Sequence, residues 1–143
     1  MNIIFVCTGN TCRSPMAQAI MLDRVKKLNI DNINIESRGI NCVEGDPLSE
    51  NSKLALKSMN IDFEHLSKPI TMDDIAWADM IICMTSRHAA LLNNVVPSNK
   101  LSTFNDYTFK GDVVDPYGQP LDVYLKTAEQ IKEGIEKILQ IIG

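Results

Sequence analysis

A cysteine and an arginine lie six positions apart near the start of the chain, and together they can act on a phosphate group. Between Cys7 and Ser14, successive backbone N–H groups of residues 8–13 can curl around three phosphate oxygens, and Gly9 permits the curl. The planar guanidinium of Arg13 can bind two oxygens at once, and a helix that begins here adds a partial positive charge. The spacing therefore predicts a loop that cradles a phosphate with a thiol at its base.

The same positive field would act on the thiol of Cys7. An ordinary thiol with a pKa of about 8.5 is only about 3% ionised at pH 7, whereas a pKa of roughly 5 makes it almost fully ionised. We therefore expect a lowered pKa and a nucleophilic sulfur. The alternative is a buried, inert cysteine, which is the commoner role at the end of an apolar strand. Chance matches to Cys-x5-Arg followed by Ser or Thr number on the order of 0.01 in this chain, and only Cys7 fits the pattern.

Strands and helices are predicted to alternate around this loop. The apolar run Asn2–Val6 is typical of a buried strand, and Ser14 is the predicted N-cap of the next helix, with Pro15 at its first position. Three more strands are predicted, at Ile33–Ser37, Met80–Met84 and Leu101–Phe104. This order indicates an α/β fold with a mostly parallel sheet and right-handed crossovers.

The remaining helices are predicted from caps and apolar periodicity, over 49–59, 71–77, 86–94 and the C-terminal segment. The last helix carries one apolar stripe, formed by Tyr124, Ala128, Ile131, Ile135, Ile138 and Ile142. Gly134 is expected to weaken that helix by about 1 kcal/mol relative to Ala. Because the functional crevice of a parallel sheet lies beyond the carboxyl ends of its strands, we expect it at loops 8–13 and 105–120.

Composition limits the class of protein. The chain has 143 residues, a formal net charge of −4 and 45% hydrophobic residues, which is ordinary for one domain over residues 1–143. Lysines and arginines are not clustered, which argues against a nucleic-acid partner. The N-terminus lacks the features of a signal peptide and no apolar run is long enough to span a bilayer, so we predict a cytoplasmic protein without membrane association and with reduced cysteines. Neither the cysteine spacing nor the two histidines favours a structural metal.

Two segments carry a resemblance to a known family. Residues 6–17, Val-Cys-Thr-Gly-Asn-Thr-Cys-Arg-Ser-Pro-Met-Ala, resemble the phosphate-binding loop of the low-molecular-weight protein-tyrosine-phosphatase family. Residues 115–118, Asp-Pro-Tyr-Gly, resemble the acid loop of that family. Ser37, the segment around His65 and the run Ala78–Met84 also fall where the family has corresponding features, so the resemblance covers nearly the whole chain. It implies a flavodoxin-like, three-layer sandwich with a central, mostly parallel four-stranded sheet and helices on both faces.

The resemblance also implies a mechanism. Cys7 would attack phosphorus in line and form a phosphocysteine, while Arg13 and the loop amides stabilise the transition state. Asp115 would protonate the leaving group and then take a proton from the water that hydrolyses the phosphoenzyme. Taken alone, Asp115 could instead be a solvated loop aspartate or an Asx turn before a proline. The Ser14 hydroxyl would make the sulfur a better leaving group in the second step. The resemblance implies that the reaction needs no metal or cofactor. It also implies a monomer that acts on a phosphorylated protein.

Further residues receive supporting roles from the resemblance. Asn10, Ser37 and His65 match a hydrogen-bond network that holds the loop in shape, although His65 alone could be a surface or core histidine. Cys12 matches a cysteine that can form a reversible disulfide with Cys7, and its alternative is a small packed side chain. Tyr117 would either line the cleft against the substrate or pack within its loop. The predicted phosphate-binding and loop-supporting residues are thus Thr8, Gly9, Asn10, Thr11, Cys12, Ser14, Ser37 and His65, whereas Cys42 and Cys83 are interpreted as structural or incidental.

The substrate prediction depends on Thr11. Many members that hydrolyse phosphotyrosine carry a bulky aliphatic residue here, whereas a subgroup that acts on phosphoarginine in proteins has the Thr-Gly-Asn-Thr-Cys-Arg-Ser form of this chain. A smaller side chain leaves room for the broader guanidino group, and the hydroxyl of Thr11 can hydrogen-bond near the site of attack. We therefore predict a protein-arginine phosphatase, with protein-tyrosine phosphatase as the alternative. Arsenate reduction and a phosphate-binding module without turnover are more remote, since no cysteine follows Cys83 and every catalytic group is present.

Overall fold

Strands and helices alternate along most of the chain, as the sequence pattern predicts. The structure is a computed structural model that describes residues 1–142; residue 143, where the predicted domain ends, lies outside the described residues. In chain order the elements are β1 (Asn2–Cys7), α1 (Arg13–Lys27), β2 (Asn34–Gly39), α2 (Glu50–Ser58), α3 (Met72–Trp77), β3 (Met80–Cys83), α4 (Ser86–Leu92), β4 (Leu101–Thr103), α5 (Phe104–Thr108) and α6 (Leu121–Ile142).

The four strands form one parallel sheet in the order β2-β1-β3-β4. Strand β1 lies in the interior of the sheet, and its side chains alternate between two hydrophobic clusters. Ile3 and Phe5 pack in the cluster that contains the buried residues of α1 and α6. Ile4 and Val6 pack in the other cluster, with residues of α3 and α4. Both faces of the sheet are therefore covered, which explains the uninterrupted apolar run of β1 and confirms the predicted α/β fold of three layers.

All strand ends that carry candidate chemistry meet at one edge of the sheet. Cys7, the last residue of β1, pairs with Gly39 at the end of β2. The N–H of Val113 donates to the carbonyl of Met84, directly after β3, at 3.0 Å. The segment that follows β4 and α5 therefore returns to the carboxyl edge, next to the loop between β1 and α1.

Helix α1 begins earlier than the sequence predicts. Arg13 is its first residue and Cys12 its N-cap, so Pro15 occupies the third helical position and Ser14 is not the cap. Proline is still tolerated there because the first backbone N–H groups of a helix have no intrahelical partner. The prediction of Ser14 as N-cap is wrong, and the hydroxyl of Ser14 instead contacts the sulfur of Cys7.

A short helix replaces part of the predicted loop after the fourth strand. Strand β4 ends at Thr103 rather than Phe104, and α5 follows at once. Its N-terminus is a capping box, in which Thr103 and Asp106 each accept a hydrogen bond from the backbone N–H of the other. Helix α3, which is predicted from the sequence, begins with the same kind of capping box, formed by Thr71 and Asp74. The polar loop therefore begins at 109, whereas the other boundaries differ by only one or two residues.

Gly134 in helix α6 is a packing requirement rather than a weak point. A Cβ atom at this position would overlap the ring of Phe104, a fully buried side chain at the start of α5. The predicted apolar stripe of α6 is buried at Tyr124, Ala128, Ile131, Ile135 and Ile138, and Ile142 packs against it partly buried. Within residues 1–142, no helix has the length and apolar character needed to cross a membrane.

Candidate active site

The thiol of Cys7 lies at the floor of the site, at the point where β1 ends. The residue is only 3% exposed, and its Sγ lies 2.9 Å from Oγ of Ser14 in the first turn of α1. We call residues 7–13 the phosphate loop. The left-handed position of this loop is Asn10, with a φ of 55°, whereas Gly9 does not have a positive φ. Gly9 instead leaves open space, since a Cβ atom there would meet only Thr11, at 3.7 Å.

Two opposing effects act on the acidity of Cys7. Burial raises the pKa of the thiol, and this is the larger effect. Hydrogen bonds from the hydroxyl and backbone of Ser14 and the backbone of Asn10, together with the charge of Arg13, lower the pKa. The sequence prediction of a strongly lowered pKa took account of the hydrogen bonds and the charge of Arg13 but not of burial. In this structure burial outweighs those effects, so the pKa of Cys7 is raised.

Arg13 connects the phosphate loop to the segment that carries Asp115. Its guanidinium is nearly buried, and Nη1 donates to the carbonyl of Val113 at 3.2 Å. Nη2 lies 3.6 Å from Oδ2 of Asp115, whose side chain is 59% exposed. We call residues 109–120 the acid loop. The other carboxylate oxygen of Asp115 accepts a hydrogen bond from the N–H of Tyr117 at 3.1 Å, so the carboxylate is held at the mouth of the site.

The predicted network around Asn10 is present and larger than the sequence indicates. Its side-chain amide donates to Oγ of Ser14 at 2.9 Å and to Oγ of Ser37 at 3.1 Å. His65 Nε2 lies 2.8 Å from the carbonyl oxygen of Asn10, and because a carbonyl only accepts, this nitrogen carries the proton. Burial lowers the pKa of His65, which favours this neutral form. The structure therefore brings together all three residues of the predicted network.

Two members of this network were missed. Ser67, which is fully buried, donates to the same Asn10 carbonyl at 2.8 Å, and Gln18 accepts a hydrogen bond from Ser37 at 2.7 Å. The side-chain carbonyl of Asn10 accepts from the N–H of Lys68 at 3.0 Å. A single serine or glutamine in a helix or connecting segment carries no local signal, so only the packing of the chain reveals these partners.

His88 supports the other end of the phosphate loop and was also missed. Its Nε2 lies 2.8 Å from Oγ1 of Thr8, and its Nδ1 lies 3.0 Å from Oγ1 of Thr85. Burial, with smaller contributions from Arg13 and Arg87, lowers the pKa of His88 to about 4. A neutral histidine thus links helix α4 to the phosphate loop at neutral pH.

The four cysteines are all free thiols in different surroundings. Cys12 is buried, and its Sγ donates to Ser49 at 3.4 Å and lies 3.6 Å from the hydroxyl of Tyr124. Cys83 lies below the site, where burial and then the neighbouring Cys7 raise its pKa to about 12. Cys42 lines the same cavity as Cys7, and its interpretation as structural or incidental remains a prediction. No group of three or more potential metal-binding side chains occurs within residues 1–142.

A cavity of about 490 Å³ opens above the thiol. The phosphate loop forms its floor, so the predicted Thr8, Gly9, Asn10, Thr11 and Cys12 all line it, whereas Ser37 and His65 lie behind the loop. Tyr117 lines the cavity and is 75% exposed, which favours the cleft-wall interpretation over packing within the loop. The remaining walls are formed by Asn41, Cys42, Val43, Asp46, Arg87 and Asp115.

A thiol and a guanidinium at the carboxyl edge of a parallel sheet, with a carboxylate at the mouth, are the groups that a cysteine-dependent phosphatase uses. Comparison with known proteins identifies the family: the profile of the low molecular weight phosphotyrosine protein phosphatases matches residues 2–143. The chain belongs to this family and is a protein phosphatase. The predicted family is therefore confirmed.

Relatives of both substrate classes are similar to the chain. The protein-arginine-phosphatase of Geobacillus stearothermophilus is 33% identical over 142 residues, covering 96% of this chain and 93% of the relative. The low molecular weight protein tyrosine phosphatase of T. tengcongensis is 38% identical, with a TM-score of 0.94 and 99% of each chain covered. A mutant of the YwlE arginine phosphatase with a phosphorylated active-site serine has a TM-score of 0.93 at 30% identity, covering 99% of this chain and 95% of that one.

Proposed function

We propose that this chain removes phosphate from arginine side chains of proteins, with Cys7 as nucleophile, Arg13 as phosphate ligand and Asp115 as general acid and base. The observation that carries the proposal is that Cys7, Thr11 and Asp115 line one cavity. Thr11 is a small polar residue beside the nucleophile, which leaves room for a branched guanidino group. Tyr117 is the one aromatic residue among the described residues of the cavity wall, so the wall offers little apolar surface to a phosphotyrosine ring.

In the first step Cys7 attacks phosphorus as the thiolate, the form that the hydrogen bonds of Ser14 and the charge of Arg13 favour against the effect of burial, and the S–P bond forms as the P–N bond breaks. The departing nitrogen takes a proton from the carboxylic acid form of Asp115, so that the arginine leaves as a guanidinium cation. The guanidinium of Arg13 binds the equatorial oxygens during this transfer and stabilises their charge. The contact between Arg13 and Asp115 supports this role, because the guanidinium that would bind the phosphoryl oxygens lies 3.6 Å from the Asp115 carboxylate.

In the second step water hydrolyses the phosphocysteine. Asp115, now a carboxylate, takes a proton from the attacking water, and the S–P bond breaks to release inorganic phosphate. The Ser14 hydroxyl, 2.9 Å from the sulfur, donates a hydrogen bond that stabilises the thiolate as it leaves. The phosphorylated serine of the similar YwlE mutant supports a phosphoryl group on the nucleophile as an intermediate.

The remaining predicted residues have supporting roles in this proposal. Thr8, Gly9 and Thr11 shape the floor of the cavity, and Asn10, Ser37 and His65 hold the loop in its strained conformation. The proposed disulfide of Cys12 with Cys7 requires the Cys12 thiol to leave Ser49 and Tyr124. We further propose that residues 1–143 act as one domain, as a monomer and in the cytoplasm, on the grounds of chain length and cysteine usage.

A phosphotyrosine substrate is the second candidate. The exposed ring of Tyr117 at the cavity mouth favours it, because two aromatic rings can stack at the opening. One protein sequence carrying either phosphoarginine or phosphotyrosine separates the two functions. We expect a higher kcat/KM for phosphoarginine, and a Thr11→Ile variant should shift the ratio toward phosphotyrosine. A higher kcat/KM for phosphotyrosine in the unmodified chain would overturn the arginine proposal.

A further inference from the structure

The cavity contains a second carboxylate that the mechanism does not use. Asp46 lines the same cavity as Cys7, Thr11 and Asp115. We propose that Asp46 is a specificity-determining residue whose carboxylate binds the guanidinium group of the arginine that leaves. This inference rests on the proposed function and adds a residue that recognises the leaving group.

Asp46 is held in a fixed relation to the phosphate loop. The N–H groups of Ile40 and Asn41 donate to the carbonyls of Cys7 and Thr8, at 3.0 and 3.1 Å. At the other end of this connection, the N–H of Ser67 donates to the carbonyl of Asp46 at 2.8 Å, and the hydroxyl of the same serine donates to Asn10. The segment that carries Asp46 is therefore fastened at both ends to the loop that positions the nucleophile.

The carboxylate of Asp46 is available to a ligand. It is half-buried, and within residues 1–142 it makes no ion pair and no side-chain hydrogen bond. Asp115 differs, because its carboxylate lies beside Arg13. Arg87 lines the cavity too, but it forms no ion pair with Asp46. A partly desolvated carboxylate without a cationic partner gains from a cation that enters the cavity.

The chemistry of the leaving group explains which cation this is. In phosphoarginine the phosphoryl group withdraws charge from the guanidino group, and cleavage of the P–N bond produces a full guanidinium cation. Guanidinium and carboxylate match in shape and charge, because the planar fork donates two parallel N–H bonds. The attraction grows as the bond breaks, so it stabilises the transition state more than the bound substrate. A phenol leaving group develops no positive charge and gains nothing from Asp46.

Substitution of Asp46 by asparagine tests this inference, because it removes the charge and keeps the shape. The readout is the ratio of kcat/KM for free phosphoarginine to kcat/KM for p-nitrophenyl phosphate. The α-amino group of this free phosphoarginine is acetylated, so that neither an ammonium group nor a neighbouring basic residue can bind Asp46 instead. We expect the ratio to fall about three- to tenfold, as for loss of a half-buried ion pair. Added salt should reduce the ratio of the unmodified chain more than that of Asp46→Asn.

Glu44→Gln is the matched control, since Glu44 is exposed, lies two residues away and does not line the cavity. Its ratio should equal that of the unmodified chain. An unchanged ratio in Asp46→Asn, or an equal change in Glu44→Gln, would overturn the role of Asp46 while leaving the proposed function intact. If the unmodified chain instead prefers phosphotyrosine, the proposed function fails and the inference fails with it. Thermal unfolding of both variants verifies that they are folded.

Discussion

The phosphate loop and the acid loop face the same cavity but differ in how they are held. Asn10 at the centre of the phosphate loop is fully buried, and its side-chain and carbonyl atoms have partners on three other segments, namely α1, β2 and residues 65–68. In the acid loop, Asp115 and Tyr117 are largely exposed, and few bonds hold them. Binding a transferred phosphoryl group requires fixed geometry, whereas a loop that contacts the rest of a substrate can remain exposed to solvent.

The difference implies that substitutions in the two loops have different consequences. A change in the phosphate loop should affect both folding and turnover, because the same hydrogen bonds support both. A change at an exposed residue of the acid loop, such as Asp115, should affect turnover alone. Four measurements test this contrast.

Asp115→Asn should give the largest effect. Loss of the general acid and base should lower kcat about 10²- to 10³-fold. The free energy of unfolding should change by less than about 0.5 kcal/mol, because the side chain is exposed. Steady-state kinetics with p-nitrophenyl phosphate and a urea titration measure the two quantities.

Asp31→Asn is the control for Asp115→Asn, since Asp31 is an exposed carboxylate before β2, at the opposite edge of the sheet. It should leave kcat unchanged. A decrease in kcat of less than about tenfold for Asp115→Asn would contradict the assignment of Asp115 as the acid.

Asn10→Ala should destabilise the fold and impair turnover together. The substitution removes two donated bonds and one accepted bond, so we expect the free energy of unfolding to fall by about 3 kcal/mol. Asn29→Ala is a matched control, because Asn29 has the same φ of 55° but is exposed and lies outside the network. Only the cost of a left-handed alanine, about 1 kcal/mol, is expected there. Equal losses in the two variants would show that the network contributes nothing.

His88 should make the phosphate loop sensitive to acid. A histidine in the unfolded chain has a pKa of about 6.5, whereas burial lowers the pKa of His88 in the folded protein to about 4. Because the unfolded state binds more protons in this window, the free energy of unfolding should fall by roughly 2–3 kcal/mol as the pH drops through it. A His88→Gln variant removes this titration and should show a smaller slope from pH 6.5 to 4.

Some slope should remain in His88→Gln, because burial also lowers the pKa of His65. Urea titrations of both proteins at several pH values give the comparison. Identical slopes would mean that the protonation of His88 does not differ between the folded and unfolded states.

Ser14→Ala should give the smallest effect, an upward shift in the pKa of Cys7. The hydroxyl of Ser14 is the largest of the contributions that lower this pKa, so its loss adds to the effect of burial. A shift of about one unit would reduce the alkylation rate by iodoacetamide about tenfold at neutral pH. Ser37→Ala is the control, because Ser37 contacts Asn10 but not the thiol. A shift of the same size in that variant would contradict a direct effect of Ser14.

The two loops were also predicted from the sequence to different extents. The spacing of Cys7 and Arg13 lies within one short segment, so a local pattern is sufficient to recognise it. Asp115 is predicted as the acid because it follows a predicted strand end and its segment resembles a family motif. Helix α5 was missed although Thr103 carries the same capping signal as Thr71, because the polar residues that follow were interpreted as loop.

Contacts between distant parts of the chain were not predictable in this way. Ser67, Gln18 and His88 support the phosphate loop from other elements, and no periodicity or spacing links them to it. Asp46 was missed for the same reason, because its place in the cavity depends on the course of the connection after β2. The network of Asn10, Ser37 and His65 was anticipated only through resemblance to the family.

The sequence alone determined the order of the strands and of every helix except α5, it identified the family, and it predicted the phosphate chemistry of the first loop, because short local patterns carry these signals. The tertiary structure decided the acidity of Cys7, since desolvation depends on everything packed around the sulfur. It also decided the partners of Thr8 and Asn10 and the open carboxylate of Asp46. These properties depend on distances between segments that lie tens of residues apart, and only folding sets such distances.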